Sequence, residues 1–253
     1  MTDLVYERTG RGRPLLFLHG ATLDHRMWHP QLALADRFEV ITYDLRGFGA
    51  SPPPTGAFKH CEDAAALIDE LGLTDVCVAG HSIGAHYALE LALLRPDVIS
   101  GFVSVCMSGL TQDYPPDIVA MFAELKRLAR ADDLAQAKQL WAGCAWFTQA
   151  RAMPAIAALL DDYLADYSGW YWLHDTPATN LDPTAVTRLE QLCVPALVID
   201  GELDLDYNHR IADVLARRIP RAELLRLPGI GHMANLEAPD LVTSAIGQLA
   251  NRR

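Results

Sequence analysis

The 253 residues, 51% of them hydrophobic, are enough for one large buried core, and α/β chains of this length commonly form a single domain. A net charge of −11 without any basic stripe excludes a nucleic-acid or anionic-membrane surface. No stretch approaches the apolar length of a membrane span, and the N-terminal Thr2-Asp3-Leu4-Val5 carries an acid where a signal peptide needs positive charge.

In chain order, apolar runs predict strands near 4–8, 15–18, 39–43, 75–79, 100–106, 195–200 and 222–227. Helical periodicity falls near 28–36, 60–72, 84–94, 208–218 and 237–250. This alternation predicts an α/β fold: a mostly parallel sheet with right-handed crossovers and helices on both faces. From about 111 to 185 no strand pattern occurs; Pro115-Pro116 opens a helical stretch at 117–130, and others follow at 133–146 and 152–166. So long an excursion between two strands predicts an inserted helical cap over 111–185, with the core formed by 1–110 and 186–253. Trp141, Trp146, Trp170 and Trp172 fall in the insertion with Phe147, Tyr163, Tyr167 and Tyr171. Some of these aromatics must join cap to core; the others predict an apolar pocket beneath it, with Trp141 and Trp146 as candidate walls beside Trp28 and Met233.

The five cysteines, Cys61, Cys77, Cys106, Cys144 and Cys193, are odd in number and show no C-x-x-C spacing. They read as buried, reduced thiols, so neither a metal site nor a cofactor is expected, and the compartment expected is the cytoplasm. Gly10-Arg11-Gly12 precedes a strand, not a helix, which rules out a nucleotide-binding turn.

The chemistry concentrates at Gly80-His81-Ser82-Ile83-Gly84, which follows the apolar run Val76-Cys77-Val78-Ala79. A strand turning sharply into a helix leaves no room for a Cβ two residues either side of the serine, and glycine stands at both places. The corner lifts the Ser82 hydroxyl out of the sheet and aims the Ile83 N–H at whatever that hydroxyl attacks. A serine hydroxyl is a weak nucleophile until a base takes its proton. His232 is the candidate base, in the loop Pro228-Gly229-Ile230-Gly231-His232 just past the last strand. A carboxylate that orients it belongs on the loop after 195–200, where Asp200, Glu202, Asp204 and Asp206 all stand.

Serine, then acid, then histidine, each past a strand end, resembles the α/β-hydrolase family. Further segments carry the likeness across nearly the whole chain. Leu15-Leu16-Phe17-Leu18-His19-Gly20 is similar to the family's strand and oxyanion-loop dipeptide. Tyr43-Asp44-Leu45-Arg46-Gly47-Phe48-Gly49-Ala50-Ser51 is similar to its D-x-R-G-x-G-x-S turn, and Gly231-His232 through Glu237-Ala238-Pro239 to its G-H-x-x-x-x-E-x-P ending. The family's first strand has no counterpart before residue 4, which leaves the left edge of the sheet unassigned.

The resemblance implies a Ser82–His232–Asp204 triad, chosen on the family's G-x-x-D loop with Asp206 as runner-up. It implies an oxyanion hole made by the backbone N–H groups of Ala21 and Ile83. It also implies structural hydrogen bonding by His19 and His81 beneath the loops. His86, one helical turn after Ser82, is expected to be a satisfied polar group within the packing. The implied activity is that of the small capped serine esterases and enol-lactone hydrolases: cofactor-free hydrolysis of a small-molecule ester or lactone with an apolar portion. Carbon–carbon bond hydrolases, cofactor-free haloperoxidases and small-molecule receptors on the same fold are the alternatives.

Overall fold

The computed structural model describes residues 2–111 and 113–252, so Met1, Gln112 and Arg253 lie outside the described residues. Seven strands, β1 (Tyr6–Gly10), β2 (Arg13–Leu18), β3 (Phe38–Tyr43), β4 (Val76–His81), β5 (Ile99–Val105), β6 (Ala196–Gly201) and β7 (Ala222–Leu227), form one sheet. Their spatial order is β1-β3-β2-β4-β5-β6-β7, and every neighbouring pair is parallel except β1 with β3. The continuous apolar runs of β2, β4, β5 and β6 follow from this placement, since a parallel strand covered on both faces has no solvent side to alternate with. Strand β1 is exposed along its length and closes the left edge, pairing Tyr6 with Tyr43 and Gly10 with Glu39.

The helices are α1 (His60–Leu71), α2 (Ile83–Leu94), α3 (Pro116–Arg130), α4 (Leu134–Ala142), α5 (Thr148–Arg151), α6 (Pro154–Asp166), α7 (Trp170–Leu173), α8 (Asp206–Arg218), α9 (Ala234–Glu237) and α10 (Pro239–Ala250). Three expected helices differ. The stretch expected at 28–36 is a 3-10 helix over His25–Asp36, because Pro30 inside it has no N–H with which to continue an α-helical ladder. The stretch expected at 237–250 divides at Ala238, where Pro239 restarts the chain as α10. The stretch expected at 133–146 ends at Ala142, and a short 3-10 turn over Ala145–Phe147 then brings Trp146 and Phe147 inward. Cys61, Cys77, Cys106 and Cys144 are buried, whereas Cys193, in the segment that leads into β6, is exposed, against the expectation of five buried thiols. Among the described residues no helix is long and apolar enough to cross a membrane.

Helices α3 to α7 all lie between β5 and β6. They meet the rest of the chain through side chains that reach segments following the strands' C-terminal ends: the Trp141 indole donates to Thr22 Oγ1 (2.7 Å), that of Trp146 to Asn208 Oδ1 in the first turn of α8 (2.9 Å), and the Tyr171 hydroxyl to the Arg46 carbonyl (2.6 Å).

The D-x-R-G-x-G-x-S turn after β3 is organised by the buried Asp44 carboxylate. One oxygen accepts from the His25 backbone N–H (2.8 Å) and ring Nδ1 (2.7 Å), the other from Ala50 N–H (2.8 Å). Gly49 has φ +50°, and a Cβ there would overlap that carboxylate. The hydrogen bond to Asp44, working against burial, raises the His25 imidazole above its usual range. A raised value stabilises the fold fully below the unfolded pKa, and the contribution fades as pH rises through the folded one. Thermal melts of wild type and His25→Ala should therefore differ most near pH 5.5 and converge towards pH 9. A gap that widens with pH would show that the imidazolium contributes nothing here.

Candidate active site

Strand β4 ends at His81, and Ser82 turns the chain directly into α2 with φ +54° and ψ −123°. A non-glycine residue in that region costs on the order of 1–3 kcal/mol and persists only where the surroundings impose it. The surroundings are visible. A Cβ on Gly80 would overlap the Gly84 carbonyl, and one on Gly84 would overlap the His19 carbonyl, so both glycines are required by backbone on the far side. The Ser82 N–H donates to Val105 O at the end of β5 (2.9 Å), and its own carbonyl accepts from Ala85 N–H (3.1 Å).

The Ser82 hydroxyl lies 3.0 Å from His232 Nε2, and His232 Nδ1 lies 2.7 Å from Asp204 Oδ2. A carboxylate only accepts, so Nδ1 carries the proton and Nε2 presents its lone pair to the serine. The other acids at the end of β6 are engaged elsewhere. Asp200 binds His209 and Arg226, Glu202 accepts from Gly229 N–H, and Asp206 opens α8. The loops bearing Asp204 and His232 are knitted together, Glu202 N–H donating to Leu227 O (3.0 Å) and Leu203 N–H to Ile230 O (2.8 Å). Cys106 Sγ clusters with Asp204 and His232, lies 3.7 Å from Gly231 O, and has its thiol pKa pushed well up by burial.

The neighbouring histidines are structural and their tautomers follow from their partners. His81 Nε2 faces the His232 carbonyl at 2.9 Å, so it donates, and burial pushes this imidazole down to about 3. His19 Nε2 accepts from Leu45 N–H (2.9 Å) while Nδ1 donates to Gly20 O (2.8 Å), and burial lowers it too. His86 departs from expectation. Among the described residues neither ring nitrogen makes a hydrogen bond, although Nε2 lies 3.4 Å from Glu90 Oε1 one turn along α2.

Glu237 is the residue whose role the sequence reading did not reach, although the motif contains it. Its carboxylate accepts from Gly231 N–H (2.6 Å) and Met233 N–H (3.0 Å), gripping the backbone on both sides of His232. Burial raises its pKa against those two bonds.

Ser82 and His232 open onto a cavity of about 220 Å³ that Ala21 and Ile83 also line. As the first residue of α2, Ile83 has an N–H without an acceptor inside the helix. Trp141, Trp146, Phe147 and Tyr171 from the insertion form the roof. Trp28 and Met233 are not walls; both are fully buried in the core, Trp28 against Phe17 with ring centroids 4.8 Å apart. Phe48, Tyr87, Ser108 and Phe122 line the cavity without having been singled out. No Asp, Glu, Lys or Arg is among the lining residues.

The profile of the alpha/beta hydrolase family matches residues 15–245. BpoC, a candidate non-heme bromoperoxidase of Mycobacterium tuberculosis, is 26% identical over 97% of both chains. Among solved structures, Est816, an N-acyl homoserine lactone degrading enzyme, superposes with a TM-score of 0.79 at 25% identity, covering 96% of this chain and 95% of that one. A thermophilic esterase from Thermogutta terrifontis gives 0.77 at 25% identity, covering 97% and 92%.

Glu237→Gln exchanges one acceptor of the His232 grip for a donor facing an N–H. It should cost about 1–3 kcal/mol in urea unfolding and lower turnover of any accepted substrate more than it raises KM. Unchanged stability and turnover would show that the loop holds itself.

Proposed function

The chain belongs to the alpha/beta hydrolase family, and on that premise we propose that it cleaves an uncharged carboxylic ester or lactone through an acyl-enzyme on Ser82. The observation that carries this reading is the continuous bonded chain from Ser82 through His232 to Asp204, ending in an apolar cavity. As Oγ attacks the carbonyl carbon, its proton passes to His232 Nε2, and Asp204 steadies the imidazolium that results. The electron pair displaced onto the carbonyl oxygen is met by the N–H groups of Ala21 and Ile83; such a donor contributes roughly 3–4 kcal/mol at the transition state. Collapse returns the proton from Nε2 to the departing alkoxide. Water, deprotonated by the same nitrogen, then releases the acid and restores Ser82.

In this reading residues 111–185 act as a cap on a core of 1–110 and 186–253, keeping bulk water out of the site while admitting the one water that deacylation consumes. The cavity of about 220 Å³ lies below the usual range for drug-sized ligands and favours a small substrate. The likeness to Est816 and to the Thermogutta esterase supports lactone or ester carbonyls as the target. The likeness to BpoC supports a second reading, in which hydrogen peroxide replaces water in the deacylation and a peracid leaves.

Ser82→Ala should lower kcat for a short aryl ester by about 10³-fold or more, because nucleophile and base act as a unit. Near-wild-type turnover would remove Ser82 from its role and leave the receptor alternative standing. A carboxylate on the acyl portion would be buried without a cationic partner, at a cost of several kcal/mol. An aryl hemisuccinate should accordingly react with kcat/KM about 10²-fold or more below the matching butyrate. Equal rates would mean that a charged group reaches the pocket from outside the cavity walls.

A further inference from the structure

The turn that carries the Ala21 N–H is held from the insertion, across 119 positions of sequence. Gly20 to Leu23 is a tight turn closed by Leu23 N–H donating to Gly20 O (3.3 Å). Its third residue, Thr22, has φ +62°, a conformation in which a β-branched side chain is a marked outlier. Glycine or asparagine would adopt it freely, so something outside the turn must fix the threonine there. The structure offers one candidate. The Trp141 indole N–H, buried on α4, donates to Thr22 Oγ1 at 2.7 Å.

Trp141 cannot easily swing away from that bond. Its ring meets Phe147 edge-on with centroids 5.6 Å apart, lies 5.9 Å from Trp146 and packs edge-on against Trp172 at 6.3 Å. These partners come from the 3-10 turn after α4 and from α7, so the indole reports the position of the insertion as a whole. An indole nitrogen only donates, which makes the hydroxyl of Thr22 the obligatory acceptor. Thr22 directly follows Ala21, which lines the cavity beside Ser82.

We infer that Trp141 is a positioning residue that holds the Gly20–Leu23 turn through Thr22, so that docking of the insertion and alignment of the Ala21 N–H are a single event. This rests on the reading of Ala21 and Ile83 as the oxyanion donors of a serine hydrolase. It assigns Trp141 a task beyond filling space above the substrate: an undocked insertion leaves the nucleophile and base in place but one donor out of line.

The test uses the full chain with p-nitrophenyl acetate as substrate, an aryl trifluoromethyl ketone that adds Ser82 to form a tetrahedral oxyanion, and the product p-nitrophenol as a ground-state ligand. Trp141→Phe keeps an aromatic ring and loses the donor; Thr22→Val keeps the shape and loses the acceptor. Each should lower kcat by at least ~10-fold with KM and p-nitrophenol affinity within about threefold of wild type, since a small misplacement of a donor is felt at the transition state. The ketone's inhibition constant should rise by the same factor as kcat falls. The double variant should be no slower than the slower single, because both remove one shared interaction. Thr22→Ser keeps the acceptor and should recover most of the rate lost in Thr22→Val, which separates the bond from any effect on folding.

Unchanged kcat in Trp141→Phe, additive losses in the double variant, or a rise in KM that matches the loss of p-nitrophenol affinity with kcat constant would each overturn the inference while leaving the hydrolase reading intact. A wild-type chain that neither turns over the ester nor binds the ketone would overturn that reading, and the inference with it.

Discussion

Everything in the site depends on keeping the Ser82 hydroxyl within 3.0 Å of His232 Nε2, across a gap of 150 residues. Both groups leave the C-terminal ends of parallel strands: Ser82 stands on a corner after β4 that strains its own backbone, and His232 on the loop after β7. Neither approach tolerates slack. Gly80 and Gly84 let α2 lie against β4 and against the loop after β2, while Gly201 lets the end of β6 touch the backbone of the histidine loop, where a Cβ would overlap Gly231 O. The remaining bonds serve the same distance. Asp204 fixes the tautomer, His81 holds the His232 carbonyl, and Glu237 holds the N–H groups on either side.

Most of this was legible in the sequence because it is local. A glycine two residues either side of a serine, between an apolar run and a helix, encodes the corner outright, and the chain order of the three loops follows from strand counting. The choice among four acids after β6 was not local. The choice of Asp204 came from the resemblance to the family's G-x-x-D loop; in the structure Asp204 lies 2.7 Å from His232 Nδ1, while Asp200 pairs with Arg226 and Glu202 with Gly229 N–H. The expected helix at 28–36 failed for a reason visible in advance, since Pro30 interrupts the ladder.

The pocket was the least legible part. Aromatic residues at helical spacing fill a core and line a cavity with equal ease, so Trp28 and Met233 read the same as Trp141 and Trp146. What distinguishes them is the tertiary surroundings: Trp28 backs onto Phe17 in the sheet, while Trp146 hangs from Asn208 over the opening. His86 shows the converse, that a buried polar side chain can sit beside a carboxylate, here Glu90 at 3.4 Å, without forming a well-aligned hydrogen bond.

The resulting chamber combines a small apolar volume with a few fixed donors and no counter-charge, which suits a reaction whose only charge develops on one oxygen and one imidazole. The nucleophile itself is tested most directly by treating the protein with an aryl organophosphonate and locating the adduct by mass spectrometry. The account predicts one phosphonyl group per chain, carried on Ser82, and none on a His232→Ala variant over the same interval. No adduct on the wild-type chain, or an adduct on any other residue, would contradict it.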